Sequence, residues 1–116
     1  MFPIDPATQA IEYALDGLAF RSEITAENIA NAEVPGYQAS AVDFEDQLRR
    51  AIAASSVDRA RPAAKHTAAG SPDQNGNTVV VEDELVEMIK TNLLQRAMVD
   101  AYNFKAGLLR TAMGTR

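Results

Sequence analysis

Two acidic clusters, one histidine and a pair of serines are the side chains whose types suit catalysis or metal binding. Asp43, Glu45 and Asp46 stand together, as do Glu82, Asp83 and Glu84. A calcium loop needs regularly spaced oxygen ligands with a glycine at its bend. Neither cluster has that spacing, and both fit the negative charge favoured at a helix N-terminus. His66 is the single histidine and lies in a segment rich in Pro, Ala and Ser. With no acidic or cysteine partner close in sequence, it is expected to be a solvated ring rather than a base or a ligand. Ser55 and Ser56 lack the surroundings of a catalytic nucleophile. Gly70 and Gly76 lack the strand–glycine–helix context of a phosphate cradle. The chain has no cysteine, so disulfides, zinc–thiolate sites and cysteine nucleophiles are excluded. No catalytic, cofactor-binding or metal-ligating set is expected, and no enzymatic activity.

The asparagines have a different chemistry. In the run Asn28-Ile29-Ala30-Asn31-Ala32-Glu33-Val34-Pro35-Gly36-Tyr37 a helical pattern is stopped abruptly. Asparagine is a mediocre helix former, but its amide can satisfy free backbone groups near a helix end. Asn28 and Asn31 can therefore bond either to the open carbonyls of the last turn or to the backbone that follows Gly36. Pro35 pushes Val34 toward an extended conformation. Pro35-Gly36 is a type II turn signal, with positive φ at Gly36. The seven positions Asn28, Ile29, Ala30, Asn31, Pro35, Gly36 and Tyr37 form the candidate assembly motif.

The elements around this motif are helical. Pro6 suits a first turn and Asp5 an N-cap. From there to about Ala32, the positions Ile11, Leu15, Leu18, Ser22, Thr25, Ile29 and Ala32 recur at spacings of four and three, the heptad rhythm. Glu12, Asp16, Arg21, Glu23 and Glu27 fall mostly off that seam. About 26 residues give a helix about 39 Å long. After Gly36 the alternation is poor, so an extended arm is expected rather than a sheet strand. A short helix is expected from about Asp43, with Phe44, Leu48 and Ile52 on one face. Residues 53–77 carry loop punctuation at Arg61-Pro62, Gly70-Ser71-Pro72-Asp73 and Asn75-Gly76-Asn77, and are expected to be a flexible or assembly-ordered loop. From about Glu82 to Met113 two stripes run along a second helix. One carries Leu85, Met88, Asn92, Gln95, Val99, Tyr102 and Leu109. The other carries Ile89, Leu93, Ala97, Ala101, Phe104 and Leu108. At about 31 residues it is about 46 Å long. Lys105, Arg110 and Arg116 suit its C-terminal end, and Gly114 a C′ position.

The expected fold is mainly α: two long terminal helices packed as an antiparallel, coiled-coil-like hairpin, joined by an extended arm and a flexible loop. The divisions are 1–34, 35–81 and 82–116. Ile11, Leu15 and Leu18 on the first helix and Leu85, Ile89, Leu93, Val99 and Leu108 on the second are assigned to helix packing. Each helix shows more apolar surface than the other can hide, so burial is expected to be completed by neighbouring molecules.

Bulk properties agree with a binding role of this kind. The chain has 116 residues, 47% hydrophobic but only 6% aromatic, and no tryptophan. It has few large side chains for a private core. A net charge of -5 and a pI of about 4.7 argue against nucleic acid as a partner. No apolar run approaches the roughly 20 residues that cross a bilayer, so no direct membrane insertion is expected. Met1-Phe2-Pro3-Ile4-Asp5-Pro6 shows no cleavable secretory signal. A soluble chain is expected, kept in the cytoplasm unless a signal-independent export route takes it.

The run from Asn28 to Tyr37 resembles the N-terminal signature of bacterial flagellar axial proteins, Asn-hydrophobic-Ala-Asn-x-x-Thr-Pro-Gly-Tyr. Val34 stands where Thr is usual. Val42-Asp43-Phe44, Gly76-Asn77-Thr78-Val79 with the following acids and Leu85, and the ending Phe104-Lys105-Ala106-Gly107-Leu108-Leu109-Arg110-Thr111-Ala112 are similar to flagellar basal-body rod proteins, closest to those of the proximal rod. The resemblance covers roughly residues 8–50 and 75–113. It implies a structural subunit whose two terminal helices pack in the inner layer of a tube. It implies helical assembly into a drive shaft that transmits torque and encloses the export channel. The implied partners are other copies of itself, other rod proteins, junction proteins of the membrane ring and export gate at the rod base, and the flagellar type III export apparatus. The implied location is the periplasmic rod of the basal body, reached without a cleaved signal. Alternatives are another short rod protein, or a cytoplasmic helical-hairpin adaptor or export chaperone.

Overall fold

Asp5 starts the first helix by accepting the Thr8 N–H at 2.7 Å, with Pro6 just inside the cap where its missing N–H costs nothing. In the computed structural model, which describes residues 5–114, this helix is α1, Pro6–Ala30. The chain continues through β1 (Ser40–Val42), α2 (Glu45–Ala53), a single 3-10 turn at Val57–Arg59, β2 (Lys65–Thr67) and α3 (Val81–Ala112). Glu45 and Asp46 fill the first turn of α2, and Glu82, Asp83 and Glu84 that of α3. Gly114 takes φ 74° just past the end of α3, the left-handed stop that glycine makes cheaply. Arg116, expected to favour this helix end, lies outside the described residues.

The fold is mainly helical, and α1 and α3 form an antiparallel hairpin. Three polar links fix its register: Lys105 Nζ to Asp5 at 2.7 Å, Arg21 Nε to Glu87 at 3.8 Å, and Asn28 Nδ2 to Glu84 at 2.6 Å. Lys105, and then the Thr8 N–H, hold the Asp5 carboxyl well below the usual carboxylate range. The molecule measures 63 × 29 × 17 Å, too slender for either long helix to be covered all round.

The core lies beside the hairpin. Ala14, Leu18 and Ile24 of α1 meet Val42 and Phe44, with Tyr13, Phe20, Leu48, Ala63 and Met98 packed at the margin. Phe44 sits directly on the α1 backbone at Gly17, where a Cβ would fall 2.5 Å from its ring. A mid-helix glycine costs about 1 kcal/mol relative to alanine, and here it opens the seat for the ring. Tyr13 meets Phe44 edge to face, with centroids 6.2 Å apart, and donates its hydroxyl to the Arg61 carbonyl at 2.6 Å. That bond ties the middle segment to α1.

Three expectations are corrected by this arrangement. The first is the arm. Residues 40–42 pair antiparallel with 65–67, Ala41 facing His66. The stretch expected to be a loop therefore returns as a strand partner. The second is the seam of α1. Its buried face is Ala14, Gly17, Leu18, Arg21, Ile24, Thr25 and Asn28, rotated one position back from the expected one. Leu18 and Thr25 belong to both, while Ile11, Leu15 and Ile29 are half-buried. Arg21, expected off the seam, is only 7% exposed. The third concerns α3. Thr91 is its one buried residue, and Leu85, Ile89, Leu93, Val99 and Leu108 are not packed within the hairpin. They are 45–62% exposed. The face of α3 turned to α1 carries Glu84, Glu87, Met98 and Lys105 instead.

Candidate functional site

The end of α1 is joined to the arm by side chains acting as a strand. Asn28 is 1% exposed. Its Oδ1 accepts the Ser40 N–H at 3.0 Å and its Nδ2 donates to the Ser40 carbonyl at 2.8 Å. One amide thus pairs both polar groups of one residue, as a neighbouring peptide would in a ladder. Two helical turns earlier, Arg21 donates from Nε (2.9 Å) and Nη2 (2.8 Å) to the Val42 carbonyl, and Nη2 also reaches Glu45 at 2.7 Å. Its guanidinium lies 4.8 Å from the centroid of the Phe44 ring, a cation–π contact. Ser40 and Val42 are the alternate positions of β1 whose polar groups face away from β2. Asn28 and Arg21 therefore close the outer edge of the sheet, and β2 closes the inner one.

The turn that follows α1 is closed by Asn77. Its Nδ2 donates to the carbonyls of Asn31 (2.9 Å) and Val34 (2.8 Å), and the residue is 3% exposed. Asn31 turns back on its own helix and donates to the Glu27 carbonyl at 2.8 Å. Pro35 and Gly36 are exposed, Gly36 has φ 76°, and the Tyr37 N–H returns to the Val34 carbonyl at 3.2 Å. This is the turn expected from Pro-Gly. The Tyr37 carbonyl then accepts the Thr78 N–H at 3.0 Å, and Thr78 Oγ1 accepts the Ala39 N–H at 2.8 Å. Ile29 is half-buried and Ala30 exposed, so they serve the helix rather than the joint. The signature thus splits into a buried amide at Asn28, a half-buried one at Asn31 that caps its own helix, and the turn at Pro35-Gly36, which is exposed. Sequence reading missed Arg21, Gly17, Asn77 and Glu84 as members of this joint. The Gly-Asn pair at 76–77 was the one available signal.

The acid side of the joint is electrostatically loaded. Burial pushes the Glu84 carboxyl above its ordinary range, against the Asn28 donation that lowers it, and Glu87 and Asp83 add to the rise. Glu45 is held below its ordinary range, chiefly by Arg21. His66 is an exposed ring, as expected, but it has an acidic partner that is distant in sequence. Its Nε2 lies 2.7 Å from Asp43 Oδ2 and its Nδ1 3.0 Å from the Thr67 carbonyl. The Thr67 carbonyl and then Asp43 raise its pKa above the ordinary 6.5. Stability from this pair is full below the unfolded value and is lost as pH rises through the folded one. The lone histidine gives an unambiguous ring signal by proton NMR, expected to titrate above 6.5. Asp43→Asn is expected to lower that midpoint; an unchanged midpoint would contradict the pairing. Among the described residues no group of three His, Cys, Asp or Glu is placed to hold a metal ion, and no helix is long and apolar enough to cross a membrane.

The outer side of α3 is an apolar surface that the fold does not use. Leu85, Val86, Ile89, Leu93, Phe104 and Leu108 are 47–68% exposed along one side of the helix. A monomer rarely leaves so long an apolar strip open. What this side of the helix offers is apolar contact area.

No family model matches the chain. Curated relatives do, several of them over most of their length. It is 31% identical to the flagellar basal body rod protein FlgB of Aeromonas hydrophila over 125 aligned residues, covering 95% of each chain. It is 29% identical to FlgB of Bacillus subtilis, covering 90% of this chain and 91% of the relative. It is 31% identical to FlgB of Yersinia enterocolitica, covering 78% of this chain and 80% of the relative. An asparagine-locked helix end, a long helical hairpin and this end-to-end similarity meet in one conclusion: the chain belongs to the FlgB family of flagellar basal body rod proteins.

Proposed function

We propose that this protein is a structural subunit of the proximal rod. It adds helically to copies of itself and to other rod proteins, forming the shaft that transmits torque and encloses the export channel. The observation that carries this reading is the open apolar side of α3, with Leu93 62% and Leu108 53% exposed. A chain that leaves those residues uncovered is completed by its neighbours. The relatives' shared designation as basal body rod proteins supports the location. Residues 1–34 and 82–116 act as the inner core of the tube, and 35–81 as the arm that reaches outward. The subunit reaches the periplasmic rod through the flagellar type III export apparatus without a cleaved signal, and meets the membrane-ring and export-gate junction at the rod base. Its work is mechanical and needs no catalysis and no cofactor.

Leu93→Asp and Leu108→Asp test this. Both residues are exposed in the single chain, so the circular dichroism and melting of purified monomer are expected to stay unchanged. In the rod each substitution would bury a carboxylate in an apolar contact, at a cost of several kcal/mol. Cells whose only copy carries either change are expected to lack rods and to be non-motile. Normal motility with both variants would overturn the reading. A stable dimer retained in the cytoplasm would point to an adaptor or export chaperone instead.

A further inference from the structure

The outer sides of the two long helices differ in a way that names the mate of each. The outer side of α1 shows Ala19, Ala26 and Ala30, flanked by Glu12, Asp16, Glu23 and Glu27, all exposed. The only base of α1 is Arg21, which is buried on the opposite face. The outer side of α3 shows the large apolar ridge Leu85, Ile89, Leu93, Phe104 and Leu108. Beside it stand Lys90, Arg96 and Arg110, all exposed; the exposed acids of α3 are Asp100 and, in the first turn ahead of the ridge, Glu82 and Asp83. None of these three bases has an ion-pair partner among the described residues. One helix therefore offers large apolar side chains beside cations, and the other offers alanines beside anions. Within α1 the strip from Glu12 to Ala30 spans about 27 Å, and it fits inside the roughly 35 Å from Leu85 to Leu108 at 1.5 Å per residue.

We infer that the occupant of the α3 ridge is the alanine side of α1 of a second copy of this chain. The inference rests on the assembly reading above and adds which surface meets which. Two α3 ridges facing each other would close an isologous dimer and set base against base. The α3-to-α1 contact is heterologous: every copy keeps one free ridge and one free alanine side, so growth does not close. Alanines let the leucines approach the α1 backbone, and the flanking charges select the mate and the register.

A charge swap tests it. One variant carries Lys90→Glu, Arg96→Glu and Arg110→Glu; a second carries Glu12→Lys, Asp16→Lys, Glu23→Lys and Glu27→Lys. All seven side chains are exposed, so both variants are expected to keep the helical circular dichroism of the parent. In sedimentation at high protein concentration each alone is expected to associate at least about tenfold more weakly than wild type. Mixed in equal amounts they are expected to co-assemble, because each then meets its complement on both sides. The cysteine-free chain permits a second readout. Ala26→Cys mixed with Leu93→Cys is expected to give a disulfide-linked mixed dimer, and Leu93→Cys alone is not. If wild type associates and both charge variants associate equally well, or if mixing restores nothing, the surface assignment is wrong. Leu93→Cys homodimers would also overturn it, in favour of ridge-to-ridge packing. If wild type never associates and no cysteine pair forms, the assembly reading fails together with it.

Discussion

Asn28→Leu is expected to lower the stability of the monomer by about 3 kcal/mol, read as a lower midpoint in urea unfolding with circular dichroism. Leucine has the same branching and number of side-chain heavy atoms and is somewhat bulkier, so none of the loss comes from a cavity. It comes from three polar groups left without partners. The Ser40 N–H and carbonyl lose the amide that pairs both of them, and the Glu84 carboxylate loses its donor at 2.6 Å. Ser40 is half-buried, so water recovers part of the cost, which keeps the figure below that of three fully buried orphans. Asn28→Asp distinguishes this account from simple loss of packing. It keeps the acceptor for the Ser40 N–H but sets a carboxylate against Glu84, whose own pKa is already raised by burial. Both carboxyls then favour the protonated form in the folded state. Stability is therefore expected to recover as pH falls through their raised values and to worsen above them. A variant equally destabilised at pH 5 and pH 8 would contradict the contact with Glu84.

The sequence shows this joint unevenly, for physical reasons. Helix termination at Asn28–Tyr37 is local: a Pro-Gly pair, two helix-end asparagines and the periodicity of α1 all lie within one window, and the turn at Gly36 follows from them. The partner of Asn28 was legible as one of two choices, the helix carbonyls or the arm. The structure divides the choices, giving the arm to Asn28 and the helix carbonyl to Asn31. β1 was not legible. A strand of three residues has no period to read, and its mate lies some two dozen residues further along. The Asp43–His66 pair was hidden for the same reason, since the two meet only once that register exists. Arg21 falls off the heptad seam by its spacing alone. Its acceptor, the Val42 carbonyl, is created by the strand. On α3 the periodicity showed that most of the circumference is apolar, and nothing in it says which side turns inward. The more polar side does, because Glu84, Glu87 and Lys105 find Asn28, Arg21 and Asp5 there. The apolar side is left exposed, where the proposed assembly would use it. On α3 the strongest hydrophobic signal therefore marks exposed surface rather than the chain's own core.

Arg21→Met is expected to cost about 3 kcal/mol, and Arg21→Lys more than half as much. The guanidinium sends two bonds to one buried carbonyl while stacking on Phe44. A single ammonium cannot supply that fork. Methionine keeps much of the apolar contact with the ring and leaves the Val42 carbonyl unpaired. Glu45 is 52% exposed, so losing its partner adds little in water, and most of the cost belongs to the carbonyl and the ring. Phe44 is the residue that holds α2 to α1 over Gly17, so its loosening is expected to raise amide exchange through residues 40–53. Arg21 and Asn28 hold the same three-residue strand from the same helix face, two turns apart. The strand can be released only once. The Arg21→Met, Asn28→Leu double variant is therefore expected to lose at least about 1 kcal/mol less than the sum of the singles. Additive losses would mean that the two side chains stabilise the arm independently, and that β1 survives on its pairing with β2 alone. Sub-additive losses would mean that β1 exists because α1 supplies its missing neighbour.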